Sequence, residues 1–138
     1  MSDARVLRAS ARERYHSGMS LQFVDIGINL AHDSYDADRT AVVERARRAG
    51  VTRMIVTGST LDSSRRALAL AREWPGVLYA TAGVHPHHAA DLTDADVPAF
   101  RELLAEPEVV SAGECGLDQV RTYSPHAAQE RAYRRGVA

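Results

Sequence analysis

Residues 109–118 read VVSAGECGLD, a short β-branched run suited to a buried strand, then a glycine, then a carboxylate where the strand lets go. The same design recurs three times upstream. Residues 21–29 (LQFVDIGIN) mix apolar and β-branched residues and finish polar, as a buried strand does. Residues 51–58 (VTRMIVTG) end in a Gly/Ser turn, and residues 77–84 (VLYATAGV) lead into His85-Pro86-His87-His88. Helical segments separate these strands. Asp36 is placed to cap a helix through Val42, Val43 and Ala46 that stops at Gly50, a favourable residue just past a helix end. Residues 62–74 set Ala67, Leu68, Leu70 and Ala71 on one face, and Pro75-Gly76 ends them. Thr93 and Asp96 form a capping-box pattern for a helix reaching Ala105. Ser124-Pro125 reads as an N-cap followed by the proline favoured in a first turn.

The order is therefore βαβαβαβα, which implies an α/β fold with a parallel sheet covered by helices through right-handed crossovers. Two closures fit, an open doubly wound sheet and part of a (β/α) barrel. A whole barrel takes about 250 residues and rarely fewer than about 200. With 138 residues and four units, a barrel would be half present.

Composition narrows the function classes. Seventeen basic residues against 18 acidic ones give a formal net charge of −1, so any case for nucleic acid rests on a local site rather than on a global field. Every basic residue is Arg, which is expected mainly on solvated helix faces. The single cysteine, Cys115, excludes an intrachain disulfide and suits a reducing compartment. No stretch is apolar enough to span a membrane and no leader pattern opens the chain; a cytoplasmic protein is expected. Residues 1–20 lack a sustained apolar run and are expected to be a loose extension, with residues 21–138 as the folded unit. No GxGxxG or P-loop pattern occurs, which argues against a dinucleotide or nucleoside triphosphate site.

In either closure the chemistry belongs at the carboxyl ends of the strands. Strand one ends at Asp25, Gly27 and Asn29, strand three at His85-Pro86-His87-His88, and strand four at Glu114 to Asp118. Strand two offers only Thr57, Gly58 and Ser59. A rim of carboxylate, imidazole and amide suits a hard-to-borderline divalent metal. Glu114, between Gly113 and Gly116, is either a metal-bridging carboxylate or a strand-end Glu paired with a surface Arg. His85 is aimed from the rim by Pro86, or is a loop histidine satisfied by water. His87 and His88 are expected to face solvent, as are His16, His32 and His126. Asp118 either orients a ligand or caps the following turn, and Cys115 is expected to be a small buried thiol rather than a nucleophile.

The runs Phe23-Val24-Asp25-Ile26-Gly27-Ile28-Asn29-Leu30, Thr81-Ala82-Gly83-Val84-His85-Pro86-His87 and Gly113-Glu114-Cys115-Gly116-Leu117-Asp118, in this order across residues 22 to 133, resemble the TatD family of metal-dependent deoxyribonucleases. The resemblance implies the first four βα units of an amidohydrolase-like TIM barrel, with a divalent cation at the strand ends and hydrolysis of DNA phosphodiesters, often from the 3′ end. It implies Glu114 as a metal ligand and catalytic group, and His85 as a catalytic histidine near metal and substrate phosphate. Asn29, His85 and Asp118 are then the substrate-binding candidates. Magnesium is the expected cation, with Mn2+ or Zn2+ as alternatives. Many relatives carry His-x-His at the end of strand one, where this chain has Gly27 and Asn29; the form Asp-Ile-Gly-Ile-Asn-Leu resembles the TatD-proper branch. Gln119-Val120 replaces a more aromatic and polar pair, and the later ligands of relatives fall beyond Ala138. A truncated or frameshifted reading frame is the expectation.

Two functional readings follow. The first is a hydrolase that cuts single-stranded DNA or DNA 3′ ends. The second is a catalytically inactive half-barrel or interaction remnant, whose raw sheet edges promote self-association. A third, an independent open sheet with a small-molecule pocket, requires the doubly wound closure.

Overall fold

The computed structural model describes residues 21–136; the extension expected at residues 1–20 lies outside them. Four strands, β1 (Phe23–Ile28), β2 (Val51–Val56), β3 (Leu78–Ala82) and β4 (Val109–Ala112), alternate with α1 (Arg39–Arg48), α2 (Leu61–Glu73), α3 (Val97–Leu104) and α4 (His126–Gly136). All neighbouring strands are parallel and the sheet order is β1-β2-β3-β4. A doubly wound sheet reverses its order at a switch point; this one does not. Its helices also share a face: Val43 of α1 and Ala67, Leu70 and Ala71 of α2 close on Met54, Val56, Leu78 and Ala80. Leu103 of α3 joins Leu68 and Ala82 on the same side. This is the winding of a barrel.

Strand alternation sorts the side chains. Met54, Val56, Leu78, Ala80 and Ala82 are buried under the helices, while Arg53, Ile55, Tyr79 and Thr81 occupy the opposite, more open face. The expectation of buried strands holds at β2 and β3 but not at β1, where Phe23, Val24 and Ile26 are 53%, 52% and 79% exposed. β1 has a lateral neighbour on one side alone, so apolar residues chosen for a doubly covered strand face outward. β4, the other edge, is exposed from Val110 to Ala112.

The helix boundaries follow capping chemistry, with three departures from the sequence reading. Asp36 does not cap α1. A 3-10 turn at Asp33–Tyr35 intervenes, α1 begins at Arg39, and the Asp36 carboxylate accepts from the Arg39 guanidinium at 2.5 Å. α2 opens on Thr60, whose hydroxyl accepts from the Ser63 N–H in a reciprocal box that sequence reasoning missed. The Ser124 hydroxyl turns away from α4: it donates to the His87 carbonyl at 2.8 Å and accepts from the Ala90 N–H. The Thr93–Asp96 box does form, around a 3-10 turn that leads into α3. Gly50, just past α1, has φ of +95°, a conformation where a Cβ is costly. The arginines behave as surface groups, Arg45, Arg48, Arg66 and Arg134 being exposed and paired with nearby carboxylates. Among the described residues no helix is long and apolar enough to cross a membrane.

Candidate active site at the strand ends

The carboxyl ends of the four strands are laced together through main chain. The Thr57 N–H donates to Ile28 O, the His85 N–H to Ser59 O at 2.9 Å, and the Glu114 N–H to Gly58 O at 2.7 Å. The end of β2, which presents no acid or imidazole, therefore carries the backbone of both His85 and Glu114. The last of these contacts passes over β3 and needs Gly83. A Cβ built there would lie 2.5 Å from the Gly113 carbonyl carbon and 2.7 Å from Glu114 O, well inside van der Waals contact.

Over this lattice opens a polar recess of about 360 Å³ lined by Gly27, Asn29, Thr57, Ser59, His85, His87, His88 and Glu114. The sequence-predicted residues Asn29, His85 and Glu114 thus converge, joined by Thr57 and Ser59 from the end of β2. His85 Nε2 lies 3.4 Å from Glu114 Oε1. Glu114 is half exposed, and among the described residues no arginine pairs with it. Burial holds the His85 imidazole below the usual histidine range, outweighing the opposing pull of Glu114.

The tautomer of His85 follows from its neighbours. Its Nδ1 accepts the His87 main-chain N–H at 3.1 Å. A neutral imidazole with Nδ1 as acceptor carries its proton on Nε2. His85 thus offers the recess an N–H donor, suited to an anionic oxygen, rather than a metal-ligating lone pair.

His87 departs from the solvent-facing role expected for it. Its Nε2 lies 2.8 Å from Asp118 Oδ2, and its ring packs edge-on against His85 and Tyr123 with centroids 4.3 and 4.7 Å away. The two residues lie two apart across Pro86, His85 as the N-cap of a one-turn 3-10 helix at Pro86–His88 and His87 within it, a local geometry that the sequence pattern does not signal. His88 is exposed as expected, its Nδ1 lying 3.7 Å from Asp91. Asp118 does not line the recess. Its carboxylate accepts the main-chain N–H groups of Val120 and Arg121, the Arg121 side chain, and the His87 ring. The Arg121 N–H first, then His87 and the Val120 N–H, hold this carboxyl well below the ordinary range. Cys115 is half-buried rather than fully buried, beside Phe100 and Ala132 in an apolar crevice on the helix side of β4.

Fold and recess together define a chain of the β/α-barrel class with its polar site at the strand ends. Comparison with known proteins narrows this class. The profile of the family described as TatD related DNase matches residues 24–138, and the chain belongs to that family. It is 50% identical over 109 residues to the 3'-5' ssDNA/RNA exonuclease TatD of Musicola paradisiaca and 48% identical over 109 residues to that of Pantoea vagans. Those alignments cover 79% of this chain and 41% and 42% of the relatives. Among solved structures, a TatD family hydrolase of Entamoeba histolytica superposes with a TM-score of 0.77 at 29% identity, and a TatD homologue of Escherichia coli K12 with 0.77 at 27%. Each match covers 86% of this chain and 46% of the other. The chain spans less than half the length of the relatives it matches.

Proposed function

We propose that this chain supplies part of the active site of a metal-dependent phosphodiesterase that removes nucleotides from the 3′ end of single-stranded DNA. The observation that carries this reading is the meeting of His85 Nε2 and Glu114 Oε1, 3.4 Å apart, in a polar recess otherwise lined by Gly27, Asn29, Thr57, Ser59 and the imidazoles of His87 and His88. The relatives' name, 3'-5' ssDNA/RNA exonuclease, supports the substrate class and brings RNA in as a second substrate.

Among the described residues no three His, Cys, Asp or Glu side chains gather into a metal cage. The recess nevertheless fits a cation that prefers oxygen: an arginine-free carboxylate at its mouth, with Asn29, Thr57 and Ser59 around it. That donor set favours Mg2+, which keeps much of its water, with Mn2+ next; Zn2+ usually takes three or four protein ligands. When bound, such an ion activates water and offsets charge developing on the phosphate. Glu114 would hold it. The His85 Nε2–H donates to a phosphate oxygen, and the Asn29 amide orients phosphate or water. Asp118, outside the recess, acts by holding the loop. The setting is cytoplasmic, in keeping with a lone thiol and no disulfide.

Calorimetric titration of Mn2+ into the chain tests the assignment. Glu114→Gln should remove most of the binding while His88→Gln leaves it nearly unchanged, and equal losses would mean that the wrong ligand has been chosen. In the complete relatives, EDTA should stop digestion of 5′-labelled oligothymidylate, and a 3′-phosphoryl block should slow it.

A second reading has its own support. The exposed apolar residues of β1, together with Val110 of β4 at 49% exposure, favour self-association through the sheet edges, with the chain acting as an interaction module.

A further inference from the structure

We infer that His87 and Asp118 are a positioning pair that fixes the ring of His85 against Glu114. The inference rests on the proposed role of His85 as a donor to phosphate. Two loops carry the site, residues 85–90 after β3 and residues 113–125 after β4, and three hydrogen bonds join them, two of them through the Ser124 hydroxyl. The His87 ring meets Asp118 at 2.8 Å, the Ser124 hydroxyl donates to the His87 carbonyl at 2.8 Å, and the Ala90 N–H donates to the Ser124 hydroxyl at 3.1 Å. The second loop is itself braced from α4. Gln129 is fully buried, its Oε1 accepts the Asp118 N–H at 2.7 Å, and its Nε2 donates to the carbonyls of Ser124 and Asp118. A buried amide with every hydrogen-bonding group occupied tolerates little displacement.

The consequence for His85 runs through His87. Asp118 pins the His87 ring, and Ser124 pins its carbonyl. The His87 main-chain N–H is thereby aimed at His85 Nδ1 at 3.1 Å, with the two rings in edge contact. That N–H selects the tautomer in which His85 turns its Nε2–H toward Glu114. Asp118 thus shapes chemistry it does not touch, by way of a residue that also serves as a wall of the recess. Neither His87 nor Asp118 need contact a reacting atom for this.

The test uses ring 15N NMR, which distinguishes the two neutral histidine tautomers without any ligand, together with calorimetric titration of inorganic phosphate. Wild-type His85 should show a single Nε2–H signature. Asp118→Asn keeps an oxygen for the Val120 and Arg121 N–H groups but presents an NH2 where His87 needs an acceptor. It should leave the fold intact, mix the His85 tautomers, and weaken phosphate about tenfold, the size of one lost hydrogen bond to a charged group. His87→Ala should do the same. His87→Gln, whose side-chain NH2 still reaches Asp118, should stay within about twofold of wild type. Adding His87→Gln to Asp118→Asn should restore the His85 signature, since one amide can then accept from the other. An unchanged His85 spectrum in Asp118→Asn and His87→Ala would overturn the pair, whatever phosphate does. A wild type with the expected spectrum but no phosphate binding would leave the pair standing and remove the proposed role of His85.

Discussion

Gly83 is the residue on which Glu114 depends without touching its side chain. A methyl group there would press on the Gly113–Glu114 peptide, backbone that cannot swing aside as a flexible side chain does. Gly83→Ala should therefore destabilise by about 1–3 kcal/mol, as overpacking does, and should cut divalent-cation affinity more than an equally destabilising substitution in α1. Urea denaturation alongside Mn2+ titration separates the two effects. Asp118 makes a pH prediction. Its carboxylate is stabilised in the ionised form, so its folded value lies below its unfolded one. Its contribution is complete above the unfolded value of about 3.9 and is lost as pH falls from there toward the folded value. The stability gap between wild type and Asp118→Asn, measured in urea, should be flat from pH 7 to about 5 and shrink only in stronger acid. At this scale the sequence assigned His85, Glu114 and Asn29 to one strand-end rim, because chemistry at strand ends is a rule of the fold, and the structure brings the three into one recess. The sequence hid His87, whose place depends on a one-turn helix and on an aspartate 31 residues away.

Element by element, the sequence located every strand and every long helix, since the apolar runs and their punctuation are local signals. Ends were less legible. Thr60 and Ser63 bond reciprocally at the start of α2, and the Ser63 hydroxyl also receives the Ser59 N–H at 2.8 Å. A run of Ser and Thr gives several candidate caps, and only the turn of the chain after β2 selects one. Because Ser59 both lines the recess and accepts the His85 N–H, this cap links helix stability to the site. Thr60→Ala should cost about 1 kcal/mol in thermal or urea unfolding, the usual value of a lost N-cap. Hydrogen exchange should quicken first at the amides of Ser63 and His85. At α1 the aspartates near the start compete for cations, and Arg39 draws Asp36 out of a capping role.

For the molecule as a whole, a parallel sheet covered by helices is legible from βαβα alternation, which leaves the doubly wound and barrel closures open. The resemblance of the strand-end motifs to a known family chooses between them, and the sequential order with helices on one face agrees with that choice. What the alternation does not convey is the exposure of β1 and β4, because burial depends on neighbours that local sequence does not encode. Those open edges predict that the 138-residue chain associates with itself. Sedimentation velocity should show concentration-dependent species, and a monodisperse monomer with sharp cooperative unfolding would count against the second reading. Compared at equal concentration with the exonuclease of Musicola paradisiaca, of which it matches 41%, the chain should degrade single-stranded DNA at less than about a thousandth of the rate. For a polypeptide limited to these 138 residues, the loss of a few contacts at the reacting phosphate, at tenfold per ~1.4 kcal/mol, would be enough for that.

The sheet order has a temporal meaning as well. Each strand pairs with the one made just before it, so among the described strands none waits for a later segment before it can join its predecessor. At about 5–20 residues per second, the Gly58 and Ser59 carbonyls are in place some seconds before Glu114 is polymerised. Of the residues that line the recess the carboxylate arrives last, onto a seat already built, and an interruption of synthesis between residues 88 and 114 would release a chain with the recess histidines but not its acid.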